Sequence, residues 1–127
     1  MTKILIVDDI KGWVDYHSLV LSKLFKDAEI ITACSAREAY DKIIEHNNKP
    51  FDIIISDLQM EDDFEPKYAG EWFVEQVKTF KNYINTKIVI ISASYNIRNI
   101  AENLGVHSIS KSTARNFPDS YVFLKDL

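Results

Sequence analysis

The chain has 127 residues, of which 46% are hydrophobic, and a formal net charge of −4. This length fits one domain over residues 1–127 with a proper core, and the apolar content excludes general disorder. The mild negative charge argues against direct contact with nucleic acid. The single cysteine, Cys34, excludes an internal disulfide, and no apolar run exceeds four residues. We therefore expect a soluble cytoplasmic protein without a signal peptide or membrane insertion.

Short apolar runs rich in isoleucine and valine predict five strands. These runs are Ile4–Val7, Ile30–Ile31, Ile53–Ile55, Ile88–Ile91 and a weaker fifth one, Val106–Ile109. Continuous apolar runs without polar alternation are typical of parallel strands that are buried on both faces. The sequence thus favours a parallel sheet over an antiparallel one.

Apolar residues recur at helical spacing between these runs. The four stripes are Trp13, Tyr16, Val20 and Leu24; Ala36, Ala39, Tyr40, Ile43 and Ile44; Phe73, Val74, Val77 and Phe80; and Ile97, Ile100, Ala101 and Leu104. Ser35 and Glu38 form a capping box that predicts the start of the second helix, and Gly105 lies where the fourth should end. Pro118 predicts the start of a last short helix of about nine residues.

The order of these elements is strand then helix, repeated five times. Right-handed crossovers then build an α/β fold, a doubly wound five-stranded parallel sheet with helices on both faces. In such sheets a functional site lies beyond the carboxyl ends of the strands.

Polar residues collect at those strand ends. Asp8 and Asp9 follow the first run, Asp57 the third, Ser92 the fourth and Lys111 the fifth. In this fold the first and third strands are neighbours, so the three carboxylates converge and repel one another unless a cation neutralises them. Mg²⁺ suits such oxygen ligands. A cation, a lysine and a hydroxyl around one carboxylate are the equipment of phosphoryl transfer, with the carboxylate as nucleophile.

At these positions the chain resembles the receiver domains of two-component response regulators. The matching segments are "ILIVDD" (4–9), "CSAREAY" (34–40), "DIIISDLQM" (52–60), "IVIISAS" (88–94) and "SISK" (108–111), so the resemblance covers essentially the whole chain. It implies a flavodoxin-like (βα)5 fold with strand order 2-1-3-4-5 and a short final helix.

The resemblance also implies a role for the strand-end carboxylates. Asp57 accepts a phosphoryl group from a sensor histidine kinase or a histidine phosphotransfer protein. Asp9 and Asp57 ligate Mg²⁺ directly, while Asp8 acts mainly through water. The backbone carbonyl of Gln59 completes the protein ligands.

Two further residues complete the implied site. Ser92 matches the hydroxyl residue that moves to bond the phosphoryl oxygen, and Lys111 matches the lysine that pairs with it. The protein is then a switch rather than an enzyme, and catalyses only its own phosphorylation and dephosphorylation. Gln59 and Ser94 flank the pocket and are predicted to set the lifetime of the phosphoryl group. Phosphorylation shifts the fourth helix, fifth strand and last helix, and an unknown downstream partner or effector domain reads that surface, which also offers a face for a homodimer.

The segment after Asp57 is about five residues longer than the usual loop of the family, and it contains a run of acidic residues. That run contains Glu61, Asp62, Asp63 and Glu65, and is followed by Pro66 and Gly70. We interpret residues 61–69 as a solvated loop rather than a second metal site, with Gly70 in an exposed turn.

Two other departures keep alternative functions open. Ser108 stands where the family usually has an aromatic residue, and Ser112 where it commonly has proline. A pseudo-receiver, which binds partners without being phosphorylated, therefore remains an alternative. An aspartyl phosphatase is disfavoured, because the first strand ends in adjacent aspartates rather than D-x-D, and the chain has no phosphate-binding P-loop.

Overall fold

A computed structural model of the chain describes residues 2–60 and 68–126. Five parallel strands form one sheet in the order β2-β1-β3-β4-β5. The strands are β1 (Lys3–Val7), β2 (Glu29–Ala33), β3 (Ile53–Ser56), β4 (Lys87–Ser92) and β5 (His107–Ser110). Four contain the whole apolar run that predicted them, and β5 begins one residue into its run. The predicted fold class and strand order are confirmed.

Helices cover both faces of the sheet. They are α1 (Lys11–Leu24), α2 (Ala36–Glu45), α3 (Ala69–Val77), α4 (Ile97–Leu104) and α5 (Lys111–Asn116), with short 3-10 helices at Lys81–Tyr83 and Pro118–Asp126. The last of these is termed the C-terminal segment. It packs with α1 and α5 over side chains such as Ile4 and Ile6, whereas α2, α3 and α4 cover the opposite face over Leu5 and Val7. This double cover explains why the strands read as continuous apolar runs.

The end of the chain differs from the predicted single helix. α5 already begins at Lys111, where the Ser110 side chain caps it by accepting a hydrogen bond from the Thr113 amide at 3.2 Å. Phe117 then leaves the helical conformation, since a residue before proline is disfavoured there. Pro118 begins a separate 3-10 helix of nine residues, with the start and the length that the sequence predicts.

The two other helix-end signals act as the sequence predicts. The Ser35 hydroxyl accepts a hydrogen bond from the Glu38 amide at 3.0 Å, and the Glu38 carboxylate accepts one from the Cys34 amide at 2.7 Å. This reciprocal pair starts α2. Gly105 ends α4 with φ +73°, a left-handed conformation that suits glycine.

The buried residues of α1 lie next to the predicted apolar stripe and are not the residues of that stripe. His17 and Leu21 are its buried residues, while Tyr16 and Val20 flank them and are half-buried. Apolar spacing misses His17 because imidazole counts as polar in the pattern. Among the described helices, none combines the length and the apolar character that crossing a bilayer requires.

Candidate functional site

Asp8, Asp9 and Asp57 meet at the carboxyl ends of β1 and β3. One carboxylate oxygen from each lies within 4.8 Å of those of the other two. The pairing of Val7 with Ser56 places the two strand ends side by side, and the Asp57 amide donates a hydrogen bond to the Val7 carbonyl at 2.8 Å. The predicted convergence of these residues is therefore seen in the structure.

Asp57 is a buried carboxylate with a partner on each oxygen. Its Oδ1 accepts a hydrogen bond from the Leu58 amide at 2.7 Å, and its Oδ2 accepts one from Lys111 Nζ at 3.2 Å. Burial is the main cause that raises the pKa of Asp57 to about 6, and the charge of Asp8 adds to it. Lys111 and the Leu58 amide act in the opposite direction. Asp57 is thus mostly ionised at neutral pH, but its charge is poorly stabilised.

Asp8 is fully buried and has one oxygen that fits a metal ligand. Its Oδ1 accepts a hydrogen bond from the Ile10 amide at 3.0 Å. Its Oδ2 lies 3.1 Å from Lys111 Nζ, but no hydrogen bond within the described residues reaches it. Burial raises the pKa of Asp8 against the effects of Ile10 and Lys111. Lys111 offsets only part of the negative charge at this buried oxygen, and hard carboxylate oxygens suit Mg²⁺, so this cluster can hold a metal ion.

Lys111 supplies the positive charge of the site. It is the first residue of α5 and is 7% exposed. Its ammonium group pairs with both Asp8 and Asp57, and it also lies over the ring of Trp13, 5.1 Å from the ring centroid. Within residues 2–60 and 68–126, this one lysine faces three carboxylates, and the resulting net negative charge favours binding of a further cation.

The other predicted site residues lie around this cluster. Ser92 ends β4 and is buried, and its Oγ accepts a hydrogen bond from the Ser94 amide at 3.2 Å. In the part of the chain that the structure describes, no hydrogen bond joins Ser92 to Asp57 or Lys111. Gln59 is exposed, two residues beyond Asp57. The acidic residues 61–65 and Pro66 lie outside the described residues, so the solvated loop stays a prediction.

Gly70 corrects one sequence-based interpretation. It is not in an exposed turn but is buried in the first turn of α3. A Cβ atom on it would lie 2.0 Å from the Asp57 carbonyl oxygen and 2.8 Å from Leu58 Cα. The Gly70 amide also donates a hydrogen bond to the Leu58 carbonyl at 2.9 Å. The absence of a side chain therefore lets α3 press against the backbone that carries Asp57.

Trp13 is a second residue whose place in the site the sequence does not reveal. Its spacing puts it in an apolar stripe, and the structure does pack it among the core residues on that face. Only the position of Lys111 shows that its ring also borders the charged cluster. No local pattern relates two residues so far apart in the chain.

These observations define a doubly wound α/β protein with an acidic site at the carboxyl ends of its central strands. No protein-family model matches the chain, and no curated protein matches it either. Solved structures do match. The chemotaxis protein CheY4 of Vibrio cholerae is 28% identical, with a TM-score of 0.67 over 85% of this chain and 83% of that one.

Two further neighbours align more completely. The receiver domain of a DNA-binding response regulator from Colwellia psychrerythraea is 22% identical, with a TM-score of 0.77 over 100% of both chains. The phosphorylated cyanobacterial phytochrome response regulator RcpA is 20% identical, with a TM-score of 0.79 over 98% of this chain and 91% of that one. The chain therefore has the fold of response regulator receiver domains, and the resemblance inferred from its sequence is confirmed.

Proposed function

We propose that this chain is a receiver domain that accepts a phosphoryl group on Asp57 and thereby switches its binding to a partner. One observation carries the proposal: Asp57 is a buried carboxylate at the end of a central strand, next to two more carboxylates and a lysine. The neighbour RcpA, whose structure is that of a phosphorylated response regulator, supports this function.

Asp8, Asp9 and Asp57 would hold Mg²⁺, together with the backbone carbonyl of Gln59. When bound, Mg²⁺ neutralises negative charge on the carboxylates and on the transferred phosphoryl group. The buried Oδ2 of Asp8 and the net negative charge of the cluster support this assignment.

The proposed reaction uses Asp57 as the nucleophile. One of its carboxylate oxygens forms a bond to the phosphorus of a phosphohistidine on a sensor kinase or phosphotransfer protein. The phosphorus–nitrogen bond breaks, and its electron pair returns to the imidazole nitrogen. Lys111, already 3.2 Å from Asp57 Oδ2, pairs with the new oxygens. Ser92 has to give up the hydrogen bond that its hydroxyl donates to Ser94 Oγ at 3.4 Å before it can donate to these oxygens.

The signal follows from the added charge. The acyl phosphate carries about −1.5 to −2 charge at neutral pH where the ionised carboxylate carried −1, so the negative charge at the carboxyl ends of β1, β3, β4 and β5 increases. Rearrangement of Ser92 and Lys111 then changes the packing of α4, β5 and α5, and a cytoplasmic partner or an effector domain reads that face. A homodimer through α4 and α5 belongs to the same proposal.

Direct phosphorylation is the decisive experiment. The chain is incubated with Mg²⁺ and a small acyl phosphate or phosphoramidate, and its mass is measured before and after mild alkali. We expect one phosphoryl group that is lost in Asp57→Asn and kept in Asp52→Asn, an exposed aspartate just before the start of the same strand. An unmodified wild type with every donor, or equal labelling of both variants, contradicts the proposal.

A pseudo-receiver is the second candidate, and two observations favour it. The Ser92 hydroxyl is bonded to Ser94 rather than directed at Asp57, and Ser108 carries no ring on β5. Such a module binds its partner through a surface that does not depend on the site. Equal partner affinity for the wild type and Asp57→Ala, with and without phosphodonor, supports this function instead.

A further inference from the structure

Among the described residues, the Lys111 ammonium group contacts two carboxylates and one uncharged aromatic ring. Its Nζ lies 3.1 Å from Asp8 Oδ2, 3.2 Å from Asp57 Oδ2 and 5.1 Å from the centroid of the Trp13 ring. A cation over an indole face is attracted by the ring, more strongly when water is excluded. A metal ion at the cluster competes with Lys111 for the two carboxylates, but it does not compete for the ring. Trp13 is therefore the neighbour that keeps Lys111 in place when the carboxylates are engaged.

The Trp13 ring is itself packed on a buried pair. Its centroid lies 5.3 Å from that of His17, and His17 Nδ1 is 2.7 Å from the hydroxyl of Tyr121. Both His17 and Tyr121 are almost completely buried. Burial, and secondarily the charge of Lys111, lower the pKa of His17 to about 4, so the ring is neutral at physiological pH. The contact therefore joins Lys111 to Tyr121 through two aromatic rings.

Tyr121 anchors the C-terminal segment to α1. It is the largest fully buried side chain of that segment, and its ring also meets Tyr16 at a centroid distance of 6.4 Å. The Tyr16 hydroxyl donates a hydrogen bond to the Ala114 carbonyl of α5 at 2.7 Å. One face of α1 thus contacts the first residue of α5, its middle and the segment that follows it.

We propose that Trp13 is a positioning residue for Lys111, and that Trp13, His17 and Tyr121 couple the position of this lysine to the packing of the C-terminal segment. The inference rests on the proposed function, because Lys111 is the residue proposed to pair with the phosphoryl group. With a metal ion alone on the carboxylates, Lys111 stays over the Trp13 ring. A phosphoryl group on Asp57 draws the lysine toward its oxygens, and the charge of the lysine then leaves the indole. The ring borders a cavity of about 270 Å³, so it has room to adjust and to change its contact with His17.

Fluorescence tests the contact between the lysine and the ring. The chain has two tryptophans, so Trp72→Phe leaves Trp13 as the single reporter. Trp72 packs against Tyr40 on the other face of the sheet, so this background is expected to keep the wild-type phosphorylation rate, which is measured first. Lys111→Met is expected to change the emission of Trp13 without any phosphodonor. Unchanged emission means that the charge does not act on the ring and overturns the proposal.

Two substitutions of Trp13 test its positioning role. Trp13→Leu removes the ring and is expected to slow phosphorylation by small donors about fivefold, whereas Trp13→Phe keeps a weaker ring and recovers most of the rate. Because Trp13→Phe preserves an aromatic core, it keeps the test valid if the leucine variant folds poorly. Equal rates in all three proteins overturn the role.

Amide hydrogen exchange of residues 118–126 tests the coupling. With Trp13 present, the exchange rates of this segment are expected to change when Mg²⁺ and a phosphodonor are added, and also when Lys111→Met is introduced. In a chain that carries Trp13→Leu, neither change in the exchange rates is expected. An identical response in Trp13→Leu contradicts the coupling. If the wild type accepts no phosphoryl group, the proposed function fails, and the comparison of Lys111→Met with the wild type still decides the coupling in the unmodified protein.

Discussion

Neutralising Asp57 is expected to stabilise the protein when no divalent cation is present. The ionised carboxylate is buried beside Asp8, and both burial and repulsion oppose its charge. Asparagine has nearly the same shape and can still accept the hydrogen bond of the Leu58 amide, but it carries no charge. Lys111 keeps Asp8 as a partner in the Asp57→Asn variant. The substitution therefore removes a source of repulsion without opening a cavity.

The size of the expected change in the free energy of unfolding follows from the pKa of Asp57. A carboxyl group whose pKa is 3.8 in the unfolded chain and about 6 in the folded protein destabilises the folded state by about 3 kcal/mol once it is ionised. Between about pH 4 and pH 6 the folded state binds more protons than the unfolded chain, so the free energy of unfolding falls as the pH rises. The bond to Lys111 is already contained in this pKa. We expect Asp57→Asn to gain about 1–3 kcal/mol at pH 8, because the amide nitrogen that replaces one carboxylate oxygen cannot accept a hydrogen bond and part of the relief is lost.

Urea unfolding followed by circular dichroism measures this effect between pH 4.5 and pH 8, with chelator and then with Mg²⁺. The gain should shrink toward low pH, and Mg²⁺ should reduce it by stabilising the wild type. Asp41→Asn is the matched control, because Asp41 is exposed and, among the described residues, its ion pair is the one with Arg37 at 3.5 Å. A variant less stable than the wild type throughout this range, with chelator present, would refute the reasoning.

Four further substitutions test other features of the structure. Gly70→Ala should lower the free energy of unfolding by about 3 kcal/mol or prevent folding, because its methyl group meets the Asp57 carbonyl. Gly12→Ala has nothing within 4 Å of its Cβ, so it should stabilise α1 by about 0.5–1 kcal/mol in the same unfolding assay. Ser35→Ala should lower stability by about 1 kcal/mol through the lost cap of α2, and an unchanged unfolding midpoint would contradict that role. Lys111→Met should cost about 3 kcal/mol with chelator and recover with Mg²⁺, since a divalent cation replaces the missing charge; thermal unfolding that ignores Mg²⁺ would speak against a metal at the cluster.

Local patterns of the sequence predict much of the fold. Strands buried on both faces need continuous apolar side chains, so runs such as Ile53–Ile55 mark them. Helix ends need particular side chains, so Ser35 and Gly105 mark two of them. The carboxylates that follow the strands could be placed together because parallel strands end at the same edge of a sheet. These features depend on residues close in the chain or on a general rule of topology.

Only the tertiary structure decides which distant side chains touch. Gly70 lies against the backbone of Asp57 rather than in an exposed turn. Helix α5 begins at Lys111, and that lysine lies over the Trp13 ring. His17 and Tyr121 pack behind this ring. The residues next to a glycine, tryptophan or histidine in the sequence do not reveal which distant side chains it contacts. The roles of these three residue types here arise from close packing between separate elements, and packing depends on the shapes of both surfaces at once.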